Sequence, residues 1–292
     1  MSKFLTAHEF FEMFPDNDTC LEHLMMVRYG NPLDCPKCGK HGLFHKHGKR
    51  PLYECQWCSH CISPKAGTPF EKSSTPLVKW FYAMYLFTTS RHGVPAKELQ
   101  RQLGVTYKCA WRMGHEIRKY MTSVDGDGRY GGSNTVVEMD ETFMGGRKRN
   151  RDYMMNRGNP QAGKTIVFGM VEREGSLQTH VIKKRTRKAV EKHIKKVVKG
   201  SYVSTDEAPI YKYLTKAGYI HGTVCHEGGE YVRGQIHTNT IEGFWSRLKN
   251  SIRGTHVHVS RKYLPNYLGE FEYRYNMRKS PKWMFERLLA AF

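Results

Sequence analysis

The chain has no hydrophobic stretch long enough to cross a bilayer. Its longest apolar run, Trp80 to Phe87, has eight residues, where a membrane helix needs about 20. No basic leader followed by an apolar segment opens the sequence, so the expectation is a cytoplasmic protein without a secretory signal. Acidic residues are scarce: 27 Asp+Glu stand against 47 Lys+Arg, a net charge of +20 over 292 residues. Such an excess calls for a polyanionic partner, and nucleic acid is the default. There is no internal repeat and no long low-complexity tract. With 39% hydrophobic and 12% aromatic residues, a disordered chain is excluded. The eight cysteines do not form a secreted disulfide framework. Four of them stand in two CxxC pairs, which in a reducing compartment read as metal binding.

Those pairs are Cys35-Pro36-Lys37-Cys38 and Cys55-Gln56-Trp57-Cys58, with sixteen residues between them. This is zinc-ribbon spacing: each turn offers two thiolates, and two turns complete a tetrahedral S₄ site for a structural Zn²⁺. The segment from Asp34 to about Thr68 is too poor in hydrophobic residues to fold by burial, so the metal must supply the missing stability. Cys61 makes a competing Cys58-x-x-Cys61 pair, and His41, His45, His47 and His60 are further donors. The outer pairing is preferred because Cys61 is expected to pack beside Ile62 as a buried ribbon residue. Cys20, Cys109 and Cys225 have no partners in sequence and read as core residues.

Residues 1–30 read as helical, with Asp18 or Thr19 as a cap. Three helices follow, from Pro76 to Ser90, Ala96 to Leu103 and Tyr107 to Met121. The last two are joined by Gly104-Val105-Thr106 in a helix-turn-helix layout. On the third helix Ala110, Gly114, Ile117 and Met121 share the core face. Lys108, Arg112, His115 and Lys119 are left outward, with Lys108 and Arg112 placed to reach DNA. The competing reading is a helical connector with a solvated basic face. A Gly/Ser/Asp-rich linker, Ser123 to Asn134, then marks the clearest boundary.

Beyond it the pattern turns to strands at Thr135–Met144, Thr165–Arg173 and Leu177–Lys183. A basic helix at Lys188–Lys199, a strand at Tyr202–Thr205, a helix at Pro209–Ala217 and a strand at Tyr219–Cys225 come next. Helices at Ile241–Ile252, Leu264–Tyr275 and Pro281–Ala291 close the chain. This order describes an α/β sandwich with a mixed sheet.

Asp140 falls inside a strand, an expensive place for a carboxylate without a cation. Asp206 ends another strand, and Glu242 lies 36 residues further on. Three acids on two strands and a helix suit two Mg²⁺ ions about 4 Å apart, which take oxygen ligands and bridge a phosphate. Each acid has a plainer reading. Glu138 alternates onto the same strand face as Asp140, and Glu141 onto the other. Asp206 could cap the helix near Pro209, and Asn239-x-x-Glu242 has capping-box spacing. The helix carrying Glu242 has an apolar stripe of Ile241, Trp245, Leu248 and Ile252. Its polar stripe is Glu242, Ser246, Lys249 and Arg253, which puts Lys249 and Arg253 in line to hold a DNA backbone.

With these residues in place, the sequence resembles insertion-sequence DDE transposases of the RNase H-like superfamily, the subgroup with an N-terminal zinc ribbon. The resemblance runs through Arg28…Cys35-Pro36-x-Cys38-Gly39, Gly67-Thr68-Pro69-Phe70-Glu71, Ala110-Trp111-Arg112-Met113 and Met139-Asp140-Glu141-Thr142. Its most specific stretch is His237-Thr238-Asn239-Thr240-Ile241-Glu242-Gly243-Phe244-Trp245, and Tyr267-Leu268-x-Glu270-Phe271…Arg274-x-Asn276 closes it.

The resemblance implies an N-terminal helix and zinc ribbon over 1–72, a helix-turn-helix segment over 73–124, and an RNase H-like catalytic domain with a mixed sheet over 125–292. It makes Asp140, Asp206 and Glu242 the catalytic ligands of two Mg²⁺ ions, with Mn²⁺ as a substitute, and Lys249 a DNA contact. It implies binding of terminal inverted repeats, metal-dependent strand cleavage, and attack of the freed 3′-hydroxyl on target DNA. Two ends must be joined in one complex, so a dimer or higher homo-oligomer is expected. Arg147–Arg151 and Lys183–Lys188 would neutralise phosphates. The rivals are a stand-alone RNase H-like nuclease and a zinc-ribbon/helix-turn-helix regulator whose acids are silent.

Overall fold

The structure, a computed structural model, describes residues 5–124, 128–132, 134–145, 163–225, 228–230 and 232–292. The basic run Arg147–Arg151 lies outside the described residues. The chain divides into two units, Met1–Val124 with Met277–Phe292, and Asp125–Asn276.

In unit 1, Thr6 and Glu9 form a capping box that starts α1 (Ala7–Met13). Asp16 starts α2 (Asn17–Arg28), its carboxylate accepting from the Thr19 N–H at 2.8 Å. The cap is therefore Asp16 and neither Asp18 nor Thr19, because the chain enters this helix from the turn after Phe14. Arg28 anchors the far end of α2 by donating to the carbonyls of Pro64 (2.5 Å) and Ala66 (2.8 Å). Between them lies the ribbon. Its β1 (Leu33–Asp34) pairs with β2 (His41–Gly42), and β3 (Phe44–Lys46), β4 (Tyr53–Cys55) and β5 (Cys61–Ile62) form an antiparallel meander.

Helices α3 (Leu77–Thr89), α4 (Ala96–Leu103) and α5 (Tyr107–Val124) follow, and Gly104 ends α4 at φ +59°. That left-handed turn suits glycine because it has no Cβ. Ala110, Met113, Gly114, Ile117 and Met121 are buried along α5, whereas Lys108 and Arg112 are exposed. His115 departs from the expected outward face. It is buried against the Trp111 ring at 4.0 Å, and burial pulls its pKa down to about 4.

Unit 2 is built on β6 (Val136–Met144), β7 (Thr165–Glu172), β8 (Leu177–Ile182), β9 (Tyr202–Asp206) and β10 (Ile220–Val224). Their order across the sheet is β10-β9-β6-β7-β8. The first three pair antiparallel, while β9 runs parallel to β6 and β10 parallel to β9. This is the mixed α/β sheet the sequence reading expects. One face packs Val137, Met139, Phe168 and Val203 against α6 (Arg187–Ile194), Tyr211 and Leu214. The other packs Val167 and Val171 against α7 (Asn239–Ser251) and α8 (Leu264–Asn276).

Three local expectations change. The helix expected over Pro209–Ala217 is two 3₁₀ turns, Pro209–Tyr211 and Thr215–Ala217, closed by i→i+3 bonds such as Tyr211 N–H to Ala208 O. The expected linker Ser123–Asn134 gives α5 its last residues and places Tyr130 in the core of unit 2. At Gly131 (φ +81°) a Cβ would sit 2.2 Å from the Ser201 hydroxyl, which accepts from the Gly132 N–H.

The last change concerns the expected 125–292 domain. Its final residues, Met277–Phe292, belong to unit 1, because Phe285 packs on Phe10, Phe14 and Phe81, and Phe292 stacks on Phe70. The helix there spans Met284–Leu289 after a 3₁₀ turn at Pro281–Trp283.

Candidate active site

The parallel pairing of β6 and β9 ends at Glu138 opposite Ser204. Two residues beyond that pair lie Asp140 and Asp206, so side-chain alternation directs both to the same sheet face at the same height. On that face α7 crosses β7 at Gly169, the residue paired with Asp140. A Cβ there would lie 2.5 Å from the Trp245 ring and 2.9 Å from the Ile241 side chain, so the glycine lets the helix close down on the sheet. The Trp245 indole N–H donates to Asp140 Oδ2 at 3.1 Å. Glu242, on the same helix, accepts from the Thr238 hydroxyl at 2.6 Å.

The capping box of the plainer reading of Glu242 does not form: α7 has Thr238 as its cap, with no side-chain cap bond. The N–H groups at the start of α7, those of Thr240 and Ile241, donate to Glu138 Oε2 at 2.8 and 3.1 Å. Glu138 is fully buried and also accepts from the Thr240 hydroxyl (2.9 Å) and Arg173 Nε (2.7 Å), with His237 Nδ1 at 3.2 Å. Glu138 is thus committed to holding the helix, which leaves Asp140 as the acid on that face of the strand.

The acids crowd one another. Burial, and then the charges of Glu141, Asp206 and Glu242, push the Asp140 pKa up to about 7. Glu141 is also raised by burial, while the Tyr211 hydroxyl (2.5 Å) and Arg185 Nε (2.8 Å) donate to it. Arg185 Nη2 donates to Asp206 Oδ2 at 3.0 Å, and Asp206 Oδ1 accepts from the Ala208 N–H at 3.1 Å. Asp206 is not the cap its plainer reading makes it: the 3₁₀ turn at Pro209–Tyr211 has Ala208 as its cap with no side-chain cap bond.

Drawn toward Arg185, Asp206 does not gather with Asp140 and Glu242 into a cluster whose oxygens all fall within 4.8 Å. The three share an electrostatic field without forming a closed cage. Hard oxygen donors around a carboxyl whose pKa is raised first by burial and then by neighbouring negative charge fit a divalent cation.

A cleft of about 590 Å³ is lined by Asp140, Glu141, Glu242, Trp245, Ser246, Lys164 and Lys249. A neighbouring one of about 930 Å³ shares Lys164 and Lys249 and continues past Arg253 and His258. The expected faces of α7 hold: Ile241, Trp245, Leu248 and Ile252 are buried, while Ser246 and Arg253 are exposed. Burial lowers the Lys249 pKa, Lys164 and Arg253 lower it further, and Asp140 opposes them. Sequence reading missed Arg185, which it took only as part of a basic run, and Gly169. Neither residue belongs to a motif; the signal for Gly169 is a glycine interrupting a β-branched strand.

In the ribbon, Cys35, Cys38, Cys55 and Cys58 bring their Sγ atoms within 4.8 Å of one another, with Cys35 and Cys58 at 3.6 Å. Burial opposes ionisation of Cys35, but N–H donors from Cys38 and Lys37 bring its pKa down to about 6. A Cys₄ set with an already acidic thiol fits Zn²⁺. Cys61 is exposed and lies outside this set, so the expectation that it packs inward is corrected: β5 turns it to the outer face of the meander. Among the described residues no helix is long and apolar enough to cross a membrane.

Residues 132–276 match the model of the ISXO2-like transposase domain, and residues 15–61 match the transposase zinc-ribbon domain. A relative from Halobacterium salinarum, named as an uncharacterized protein in transposable element ISH50, is 27% identical over 276 residues, spanning 88% of this chain and 90% of its own. No solved structure matches.

Proposed function

Because the chain belongs to the insertion-sequence DDE transposases with an N-terminal zinc ribbon, we propose that it binds the inverted repeats at the ends of its element, cleaves them and joins them to target DNA. The observation that carries this reading is Asp140, whose pKa is raised to about 7 by burial and then by the charges of Glu141, Asp206 and Glu242, at the head of a cleft that runs on to Lys249 and Arg253. Mg²⁺, or Mn²⁺ in its place, would supply the Lewis acidity that stabilises charge on the attacking and leaving oxygens of an in-line displacement.

Asp140, Asp206 and Glu242 would hold the ions. Trp245 orients Asp140 through its indole N–H, and Glu138 sets the start of the helix that carries Glu242. Lys249 and Arg253 line the cleft, which supports a role for them in binding phosphates that flank the reacting one. The exposed Lys108 and Arg112, on the second helix of the helix-turn-helix pair, are assigned to end recognition together with the ribbon. Joining two ends calls for at least two copies of the chain.

The test uses full-length protein, labelled DNA from the flanks of its own gene, and a plasmid target, in Mg²⁺ and in Ca²⁺. Joined product is expected in Mg²⁺ alone. D140N should lower joining by roughly a hundredfold or more while DNA binding persists. Cutting without joining would reduce the protein to a nuclease, and joining that survives D140N would overturn the assignment.

A further inference from the structure

We propose that the ribbon carries a second site for a borderline-soft divalent cation, distinct from its Cys₄ centre and formed by His47, Glu54 and Cys61. The antiparallel meander creates it. Glu54 on β4 pairs with Cys61 on β5 and with His45 on β3, so their side chains share one face, and His47 returns to that face two residues after His45. The opposite face carries Phe44, Tyr53 and Cys55, all buried. The outer face keeps one imidazole nitrogen, one carboxylate oxygen and one thiol sulfur within 4.8 Å of one another. His47 Nδ1 lies 2.8 Å from Glu54 Oε2.

Zn²⁺ bonds N and O at about 2.0–2.1 Å and S at about 2.3 Å, which separates tetrahedral ligand atoms by about 3.3–3.6 Å. His47 Nδ1 and Glu54 Oε2 would therefore have to part by about half an ångström, and a pair at the 4.8 Å limit would have to close by about 1.2 Å or slightly more. Two further features separate this cluster from an ordinary surface ion pair. Cysteine is among the most buried residue types, yet Cys61 is exposed beside a carboxylate and an imidazole. Two of the donors, Glu54 and Cys61, come from paired strands, and His47 is the residue that directly follows β3, so part of the ordering is supplied by the meander. With a thiolate and a carboxylate, the set neutralises a divalent ion and leaves a fourth position for water or a ligand from outside.

The experiment maps thiol alkylation by mass spectrometry on full-length protein as purified, with and without added Zn²⁺. Saturating Zn²⁺ should slow alkylation of Cys61 by roughly tenfold or more and leave the other exposed thiol, Cys225, unchanged. His47→Ala and Glu54→Gln should each abolish that protection. Continued protection of Cys35, Cys38, Cys55 and Cys58 in the same map shows that the ribbon of each variant is intact. Equal alkylation of Cys61 with and without Zn²⁺, or protection that survives both substitutions, would overturn the site. Neither result depends on DNA cleavage, so this inference and the proposed activity stand or fall separately.

Discussion

At the scale of single residues, the most informative group is Asp140. Its pKa of about 7 in the folded chain lies above the ordinary 3.8. Unfolding therefore releases a proton between those values, and stability falls as pH rises from about 4 to 7. Without metal, D140N should raise Tm at pH 8 and lose that advantage near pH 4. The difference is on the order of 3 kcal/mol, read by calorimetry at both pH values in the presence of a chelator. For the proposed Mg²⁺ site the same linkage predicts an affinity that falls as pH drops below about 7, since the ion would compete with the proton. Asp140 was legible because a carboxylate inside an apolar strand is costly. Its separation from Glu138 was not, since both alternate onto one face. Only the bonds from Thr240, Ile241 and Arg173 show that Glu138 is engaged elsewhere.

At the scale of elements, α7 is placed by two devices: a buried carboxylate at its start and a missing side chain beneath it. Glu138→Gln replaces an acceptor of several bonds by a group with one acceptor oxygen and an NH₂ facing other donors. It should cost about 1–3 kcal/mol and speed hydrogen exchange of the amides in the first turn of α7 more than those of β7. Gly169→Val should cost about 1–3 kcal/mol from overpacking. It should also red-shift or broaden tryptophan emission as the buried Trp245 is pushed from the sheet toward water; an unchanged Tm and spectrum would contradict the close approach. Helices α3 to α5 could be read from proline, glycine and 3.6-residue spacing because those are local signals. The segment after Asp206 could not, because its 3₁₀ turns are fixed by the burial of Tyr211 and Leu214 against the sheet, a contact distant in sequence.

At the scale of the whole molecule, the succession of strands along the chain was readable, but neither their order across the sheet nor the division of the chain was. The Gly/Ser/Asp-rich linker correctly marked a change of pattern, yet nothing near Met277 signals a second crossing between units. The reason lies in a set of aromatic rings: Phe285 and Phe292 find their partners among Phe10, Phe14, Phe81 and Phe70, far away in sequence. Deleting 277–292 should expose that cluster. Limited proteolysis should then cut unit 1 faster and leave the sheet of unit 2 resistant. Chelation of the Cys₄ metal should likewise open the ribbon first, since its strands are too short to hold together by burial. DNA affinity, if set by the +20 charge, should fall steeply and linearly on a log–log plot against salt.

The return of the chain to unit 1 sets a requirement on its length. A chain cut after Asn276 would keep every residue of unit 2, with Asp140, Asp206 and Glu242 among them, and would lack Phe285 and Phe292, which join the aromatic cluster of unit 1.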